Sequence, residues 1–344
     1  MLSMRRYILH SSISLALLLL LTLPAVVRGQ FSFTTNHGTI TITGYTGTNA
    51  AVTIPDTING LPVTSIGGGT FAGYSPLTSV TIPDTVTNIG DSAFIACRNL
   101  INVTIPKGVT YIDNYAFMGC TSLTNVIIPE GVTYIGGYGF SGTRLTDVII
   151  PNSVTLVQSS AFFDCTNLAN VTISSSITVM HGGTFFACAN LRSVTIPSNL
   201  HIILDTDFAD CLNLLAMYFQ GNAPTMLPDP EGGLIGMVFS ENPSLTVYYL
   251  PGTSGWSNTF GGRPAVLWDP LMQAAGPSFG VLSNQFGFTI TGTTNIPIVV
   301  EASSTLQRGS WTPLQTCTLT NGSIYFSDLQ WTNYPARFYR IRSP

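Results

Sequence analysis

The tetrapeptide Val-Thr-Ile-Pro recurs along this chain, at Val52–Pro55, Val80–Pro83, Val103–Pro106 and Val194–Pro197. Variants stand at Val126–Pro129, Val148–Pro151 and Val171–Ser174. From Val80 onward successive copies lie 23, 23, 22, 23 and 23 residues apart, and a degenerate copy at Met217–Gln220 follows 23 later. The Val and Ile of each copy are two residues apart, so a strand turns both to one face and its remaining residues to the other. Pro has no N–H for the next ladder bond and ends the strand. A second apolar pair, such as Val109 and Ile112, follows the turn. Phe then comes at a fixed offset (Phe94, Phe117, Phe140, Phe162, Phe185, Phe208), with Cys three residues later at Cys97, Cys120, Cys165, Cys188 and Cys211. A Leu opens the next copy, as at Leu100 and Leu123, and the short copy with Gly142-Thr143 is the one without its Cys.

One such unit cannot bury its own apolar edge. Stacked at the strand spacing of about 4.8 Å, the units make a continuous core, with each Phe plugging the interior of its coil. The pattern predicts a mainly β solenoid of repeats near 23 residues over 30–269, capped at both ends. Gly38–Tyr45 alternates as a strand, and Gly60-Leu61-Pro62-Val63 completes an atypical first coil. The repeat decays after Phe219. A loop is expected across Asn222–Pro224 and Pro228–Gly233, then a last divergent coil from Val238-Phe239 and Val247–Pro251, with Trp256, Phe260 and Trp268 covering the end of the stack. Residues 270–276 are expected to be a linker. In 277–344 the 23-residue period is gone, and short alternations (Phe286, Phe288 and Ile290; Ile298 and Val300; Ile324 and Phe326) are separated by Gly292, Gly309 and Asn321-Gly322. Those turns predict a small all-β, sandwich-like C-terminal module.

The order Leu-x-Asn-Val-Thr-Ile-Pro, Val-Thr-x-Ile, Ala-Phe-x-x-Cys resembles the BspA-like, or Treponema-type, leucine-rich repeat family over about residues 31–269. The resemblance implies an extracellular or surface protein, and in some members an adhesin that binds host matrix proteins.

The N-terminus supports export. Arg5 and Arg6 precede an apolar run from Ile13 to Val27, and Val27-Arg28-Gly29 offers a cleavage site before Gln30. That run is shorter than the roughly 20 residues needed to span a bilayer, and no later segment is long and apolar enough. Without residues 1–29 the chain keeps nine basic and 16 acidic residues, a net charge of −7. Charged residues are only 8% of the whole, so the clustered Lys and Arg that nucleic-acid binding needs are missing.

Candidate chemistry is sparse. The five repeat cysteines form one column, in which parallel side chains do not meet disulfide geometry, and buried free thiols are expected. A column is not a tetrahedron, so no metal site is expected, and no cofactor. His37, His181 and His201 occupy different repeat positions, and Asp205, Asp207 and Asp210 read as a solvated loop rather than a calcium site. No P-loop, Rossmann or Gly-x-Ser-x-Gly motif is present, and no catalytic residues are assigned. What remains is the outward side of the strands. One outward column reads Ser79, Asn102, Asn125, Asp147, Asn170, Ser193, and the next Thr81, Thr104, Ile127, Ile149, Thr172, Thr195. Asn102, Asn125, Asp147, Asn170, Ile127 and Ile149 are the candidate ligand-binding residues, on the ground that solenoids bind on extended faces. The alternative is that these ladders only stabilise the sheet. The expected function is a secreted or cell-surface, non-enzymatic protein that binds an extracellular protein or glycan. The second reading is a structural envelope or matrix component without a specific ligand.

Overall fold

The structure is a computed structural model and describes residues 30–344 except 205, 229–238, 240 and 308. The expected export signal, most of the loop at 228–233, Val238 and Asp205 lie outside the described residues.

Each repeat forms one coil with two short strands and a turn. The Val-Thr-Ile strands make a parallel front sheet. Ala51–Thr53, Ser79–Thr81, Asn102–Thr104 and Asn125–Ile127 form one ladder. Asp147–Ile149, Asn170–Thr172, Ser193–Ile196, Ala216–Phe219, Thr246–Tyr249 and Arg263–Leu267 form the next. The second apolar pair makes a parallel back sheet that includes Asn88–Ile89, Tyr111–Ile112, Tyr134–Ile135 and Leu156–Val157. Val103, Ile105, Val109 and Ile112 are all buried, so both sheets turn their apolar column inward.

The third side of each coil is the Phe turn. Two residues per turn adopt positive φ, two before and two after the Phe: Ser92 and Ala96 about Phe94, Tyr115 and Gly119 about Phe117, Gly183 and Ala187 about Phe185. This alternation aims backbone N–H groups along the stack. Phe94 N–H donates to the Ala116 carbonyl (2.8 Å) and Ala96 N–H to the Met118 carbonyl (2.7 Å), and the next coil repeats the pattern. The turn side is therefore hydrogen-bonded between coils as the sheets are. Inside it the rings stack: Phe71–Phe94 at 5.0 Å, Phe94–Phe117 at 5.2 Å, and onward through Phe140, Phe162 and Phe185 to Phe208. Phe71 extends the column by one coil.

At the N-terminal end Phe31–Asn36 and Thr39–Tyr45 form an antiparallel hairpin through His37 and Gly38, both with positive φ as a tight two-residue hairpin turn requires. Thr39–Tyr45 then pairs in parallel with Leu61–Ile66 and closes the back sheet. At the other end Trp256 stacks on Tyr249 and meets Phe219 and Phe260 edge-on or tilted, covering the last coil. Trp268 does not join them, contrary to the sequence expectation. It lies on the outer face of the front sheet, edge-on to Tyr218.

That outer face carries the C-terminal module. Its strands form one sheet of Leu271–Met272, Gly280–Leu282, Gln285–Thr291 and Ser323–Asp328, and another of Pro297–Ser303, Thr312–Thr318 and Phe338–Arg342. Leu271–Met272 pairs with Gln285–Thr291, so the segment expected as a linker already belongs to the module's sheet. Phe288, Ile290, Ile298, Val300 and Phe326 fill the module and form one apolar cluster with Tyr218 and Tyr248 of the front sheet. Two buried carboxylates tie the last strand in. Glu301 takes Arg340 (2.7 Å) and Arg342 (2.5 Å), and Asp328 takes Arg337 (2.9 Å) and the Tyr339 hydroxyl (3.0 Å). Burial pushes the Glu301 carboxyl up, but the hydrogen bonds from Arg342 and Arg340 outweigh it and hold the group below its ordinary value.

Candidate functional site

The front sheet fixes the orientation of the candidate residues. Val103, Val126, Val148 and Val171 point into the core, so Asn102, Asn125, Asp147 and Asn170 point out, and all four are exposed. Ile127 and Ile149 occupy the neighbouring outward column, where Thr104 and Thr172 flank them, and are 70% and 67% exposed. Aliphatic side chains open to this degree gain nothing from the core and leave roughly 1.5–3 kcal/mol of burial each for a partner to recover. Asn102 pairs across the ladder with Asn125, and Asp147 with Asn170.

Asn125 and Asp147 stand on either side of a joint. The 22-residue spacing falls there, and the two front ladders meet without pairing. Arg144 N–H donates to the Leu123 carbonyl (3.0 Å) and Thr146 N–H to the Thr124 carbonyl (3.3 Å) beside it. Ile127 and Ile149 face outward on the two sides of this joint.

Asp147 is the one charge among the six candidates. Its carboxylate accepts from Asn170 Nδ2 (2.7 Å) and from Thr146 Oγ1 (2.8 Å), and those bonds hold it below the usual carboxylate range. It is ionised at neutral pH and fixed in place. The strip is thus polar and uncharged at Asn102 and Asn125, apolar at the joint, and anionic at one point.

Further along the same column Thr172 and Thr195 give way, register for register, to Tyr218, Tyr248 and Val266. Tyr218 and Tyr248 stack at 5.1 Å and are buried under the C-terminal module. Stepping 23 residues past Thr195 reaches Tyr218, so the repeat period carries the signal for this aromatic turn of the face, one coil beyond the outward column that ends at Thr195.

The remaining candidates fall apart as chemistry. Cys97, Cys120, Cys165, Cys188 and Cys211 are buried and unbonded. They are more than packing groups, because each thiol donates to the carbonyl of a Phe in the coil before, from 3.0 Å at Cys97–Phe71 to 3.3 Å at Cys188–Phe162. Burial pushes the thiols of Cys97, Cys165 and Cys211 up to about 12, and those of Cys120 and Cys188 well above the ordinary range. None is a nucleophile at neutral pH. Asp207 is not in a solvated loop, as its sequence context suggested. It is fully buried, and its carboxylate accepts from the backbone N–H of Thr184 (3.1 Å) and of Leu204 (2.9 Å). Among the described residues no three His, Cys, Asp or Glu side chains converge as a metal site would require.

A family model described as BspA type Leucine rich repeat region matches residues 45–168 and 115–226, in six copies. The chain belongs to this family. The BspA-type repeats also match solved structures. A leucine-rich repeat protein from Bacteroides ovatus is 25% identical over 69% of this chain and 74% of its own, with a TM-score of 0.51. The leucine rich repeat protein of T. pallidum is 33% identical over 56% of this chain and 89% of its own, with a TM-score of 0.52. No curated protein matches the chain. The BspA-type family and these two structures are leucine-rich repeat proteins, and the fold is compatible with protein binding or adhesion. No helix among the described residues is long and apolar enough to cross a membrane.

Proposed function

We propose that this protein is exported with removal of residues 1–29 and acts outside the cell, secreted or at its surface, as a non-catalytic binding protein. Its partner is an extracellular protein or glycan, which it takes on the front-sheet strip of Asn102, Asn125, Asp147, Asn170, Ile127 and Ile149. One observation carries this. The outer face of the front sheet is a docking surface that the protein itself uses, since Tyr218 and Tyr248 hold the C-terminal module there. The same face over the preceding coils is open and carries exposed Ile127 and Ile149. Membership of a family whose fold is compatible with adhesion supports the same reading.

A structural envelope or matrix role without a ligand is the second reading. The Asn170–Asp147 bond favours it, since it spends two strip side chains on each other. Immobilised residues 30–344 should capture a partner saturably from extracellular matrix proteins or a glycan array. Absence of any saturable partner would favour the structural role.

A further inference from the structure

Trp268 separates two cavities where the C-terminal module meets the solenoid. One, of about 210 Å³, is lined by Thr195, Gln220, Tyr249, Ile341 and Arg342. The other, of about 460 Å³, is lined by Pro251, Asp269, Pro270, Leu271 and Gly292. Leu250 and Trp268 line both. The indole is fixed before any ligand arrives, because its Nε1–H donates to the Pro297 carbonyl (2.9 Å) and its backbone N–H to the Tyr249 carbonyl (2.7 Å). Junctions between packed units are common places for ligand sites, and the larger cavity by itself falls in the usual range of about 300–1,000 Å³.

The charge of the lining narrows the ligand. Arg342 shares the Glu301 carboxylate with Arg340. The Oδ1 of Asp269 accepts from the backbone N–H and the hydroxyl of Thr293, both at 2.7 Å. The lining therefore holds one cation and one anion, which together favour neither sign of ligand, beside aromatic and aliphatic surface, the Gln220 amide and the Thr195 hydroxyl. A ligand suited to this lining has a flat C–H face for the aromatic walls, hydroxyls for the amide and hydroxyl, and no charge. We infer that the cleft about Trp268 binds a hexopyranose of a neutral glycan, with the larger cavity receiving a second ring. The site is separate from the Asn102–Asn170 strip, and neither depends on the other.

The test is calorimetric titration of residues 30–344 with neutral mono- and disaccharides (glucose, galactose, mannose, N-acetylglucosamine, cellobiose), with glucuronic acid as the charged control. Two variants accompany the wild type. Thr195→Trp fills the smaller cavity. Gln220→Ala removes an exposed amide and leaves the core intact, so the test stands even if the first variant folds poorly. Saturable binding of a neutral sugar that weakens about tenfold or more in a folded variant is the expected result. No saturable neutral sugar, binding of glucuronic acid alone, or unchanged affinity in the folded variants would overturn the inference.

Discussion

The hydroxyl of Thr143 lies 3.3 Å from the thiol of Cys165, and both reach the carbonyl oxygen of Phe140, at 2.8 Å and 3.3 Å. Thr143 stands where the other coils place Cys. It donates to the Phe of its own coil, whereas the cysteines donate to the Phe of the coil before. The column is therefore a column of small hydrogen-bonding groups, and its requirement is a donor of about this size. Sulfur meets that requirement while adding little polarity.

The thiols make stability depend on alkaline pH. An acid whose native pKa is raised holds its proton more tightly when folded. Its contribution is complete below the ordinary thiol value near 9.0 and is lost as pH rises toward the folded value of about 12. Urea unfolding should give constant stability from neutrality to about pH 8. Above that it should decline, each ionising thiol adding up to about 1.4 kcal/mol per pH unit to the slope. Cys188→Thr should flatten the decline. A thiol reagent should modify none of the five in the native protein, and all six cysteines of the chain after denaturation without reductant. Two or more missing thiols would mean disulfides and contradict this account.

Replacing Phe117 or Phe162 with Ala should cost roughly 3–5 kcal/mol by chemical denaturation, as for buried aromatics generally. Each ring is fully buried and stacked on both neighbours. A loss within about 0.5 kcal/mol, the size expected of surface changes, would contradict the stacked column.

Ala96 and Ala187 hold φ values of 56° and 57°, while Gly119 and Gly142 occupy the same repeat position with φ of 69° and 66°. A side chain there pays for the left-handed conformation, and glycine does not. Ala96→Gly and Ala187→Gly should each stabilise the protein, by about 0.5–1 kcal/mol after the added freedom of glycine in the unfolded chain. Destabilisation of that size by both would contradict the turn geometry.

Most of the coil was legible because repetition reports the same physical demand several times. Val103 and Ile105 fix the inward face, Phe117 the plug, and Pro106 the strand end. Positions that answer to one local event were not. Asp207 stands where Ala93, Ala116 and Ala161 stand in other coils, and a lone acid among acids in the sequence gives no sign that backbone N–H groups will enclose it. Hydrophobicity alone would place Trp268 at the stack end. Its place is set by contacts with the C-terminal module, which has no repeat to reveal its register. The candidate strip was legible as an outward column. Its boundary at Tyr218 followed from where the module docks.

On the proposed function, the open front-sheet strip binds the partner. The most direct test is the affinity of the double variant Asn125→Lys with Asp147→Lys for whatever partner the capture experiment yields, with folding verified by circular dichroism. The two lysines would put like charges on adjacent strands beside Ile127 and Ile149, disturbing the surface and sparing the inward Val126 and Val148, at some cost to the sheet. The double variant should fold and bind at least tenfold more weakly, and wild-type binding should change little with salt. Unchanged affinity in the folded double variant would contradict this and move the site off the strip, to the cleft about Trp268 or to the C-terminal module around Trp311 and Trp331.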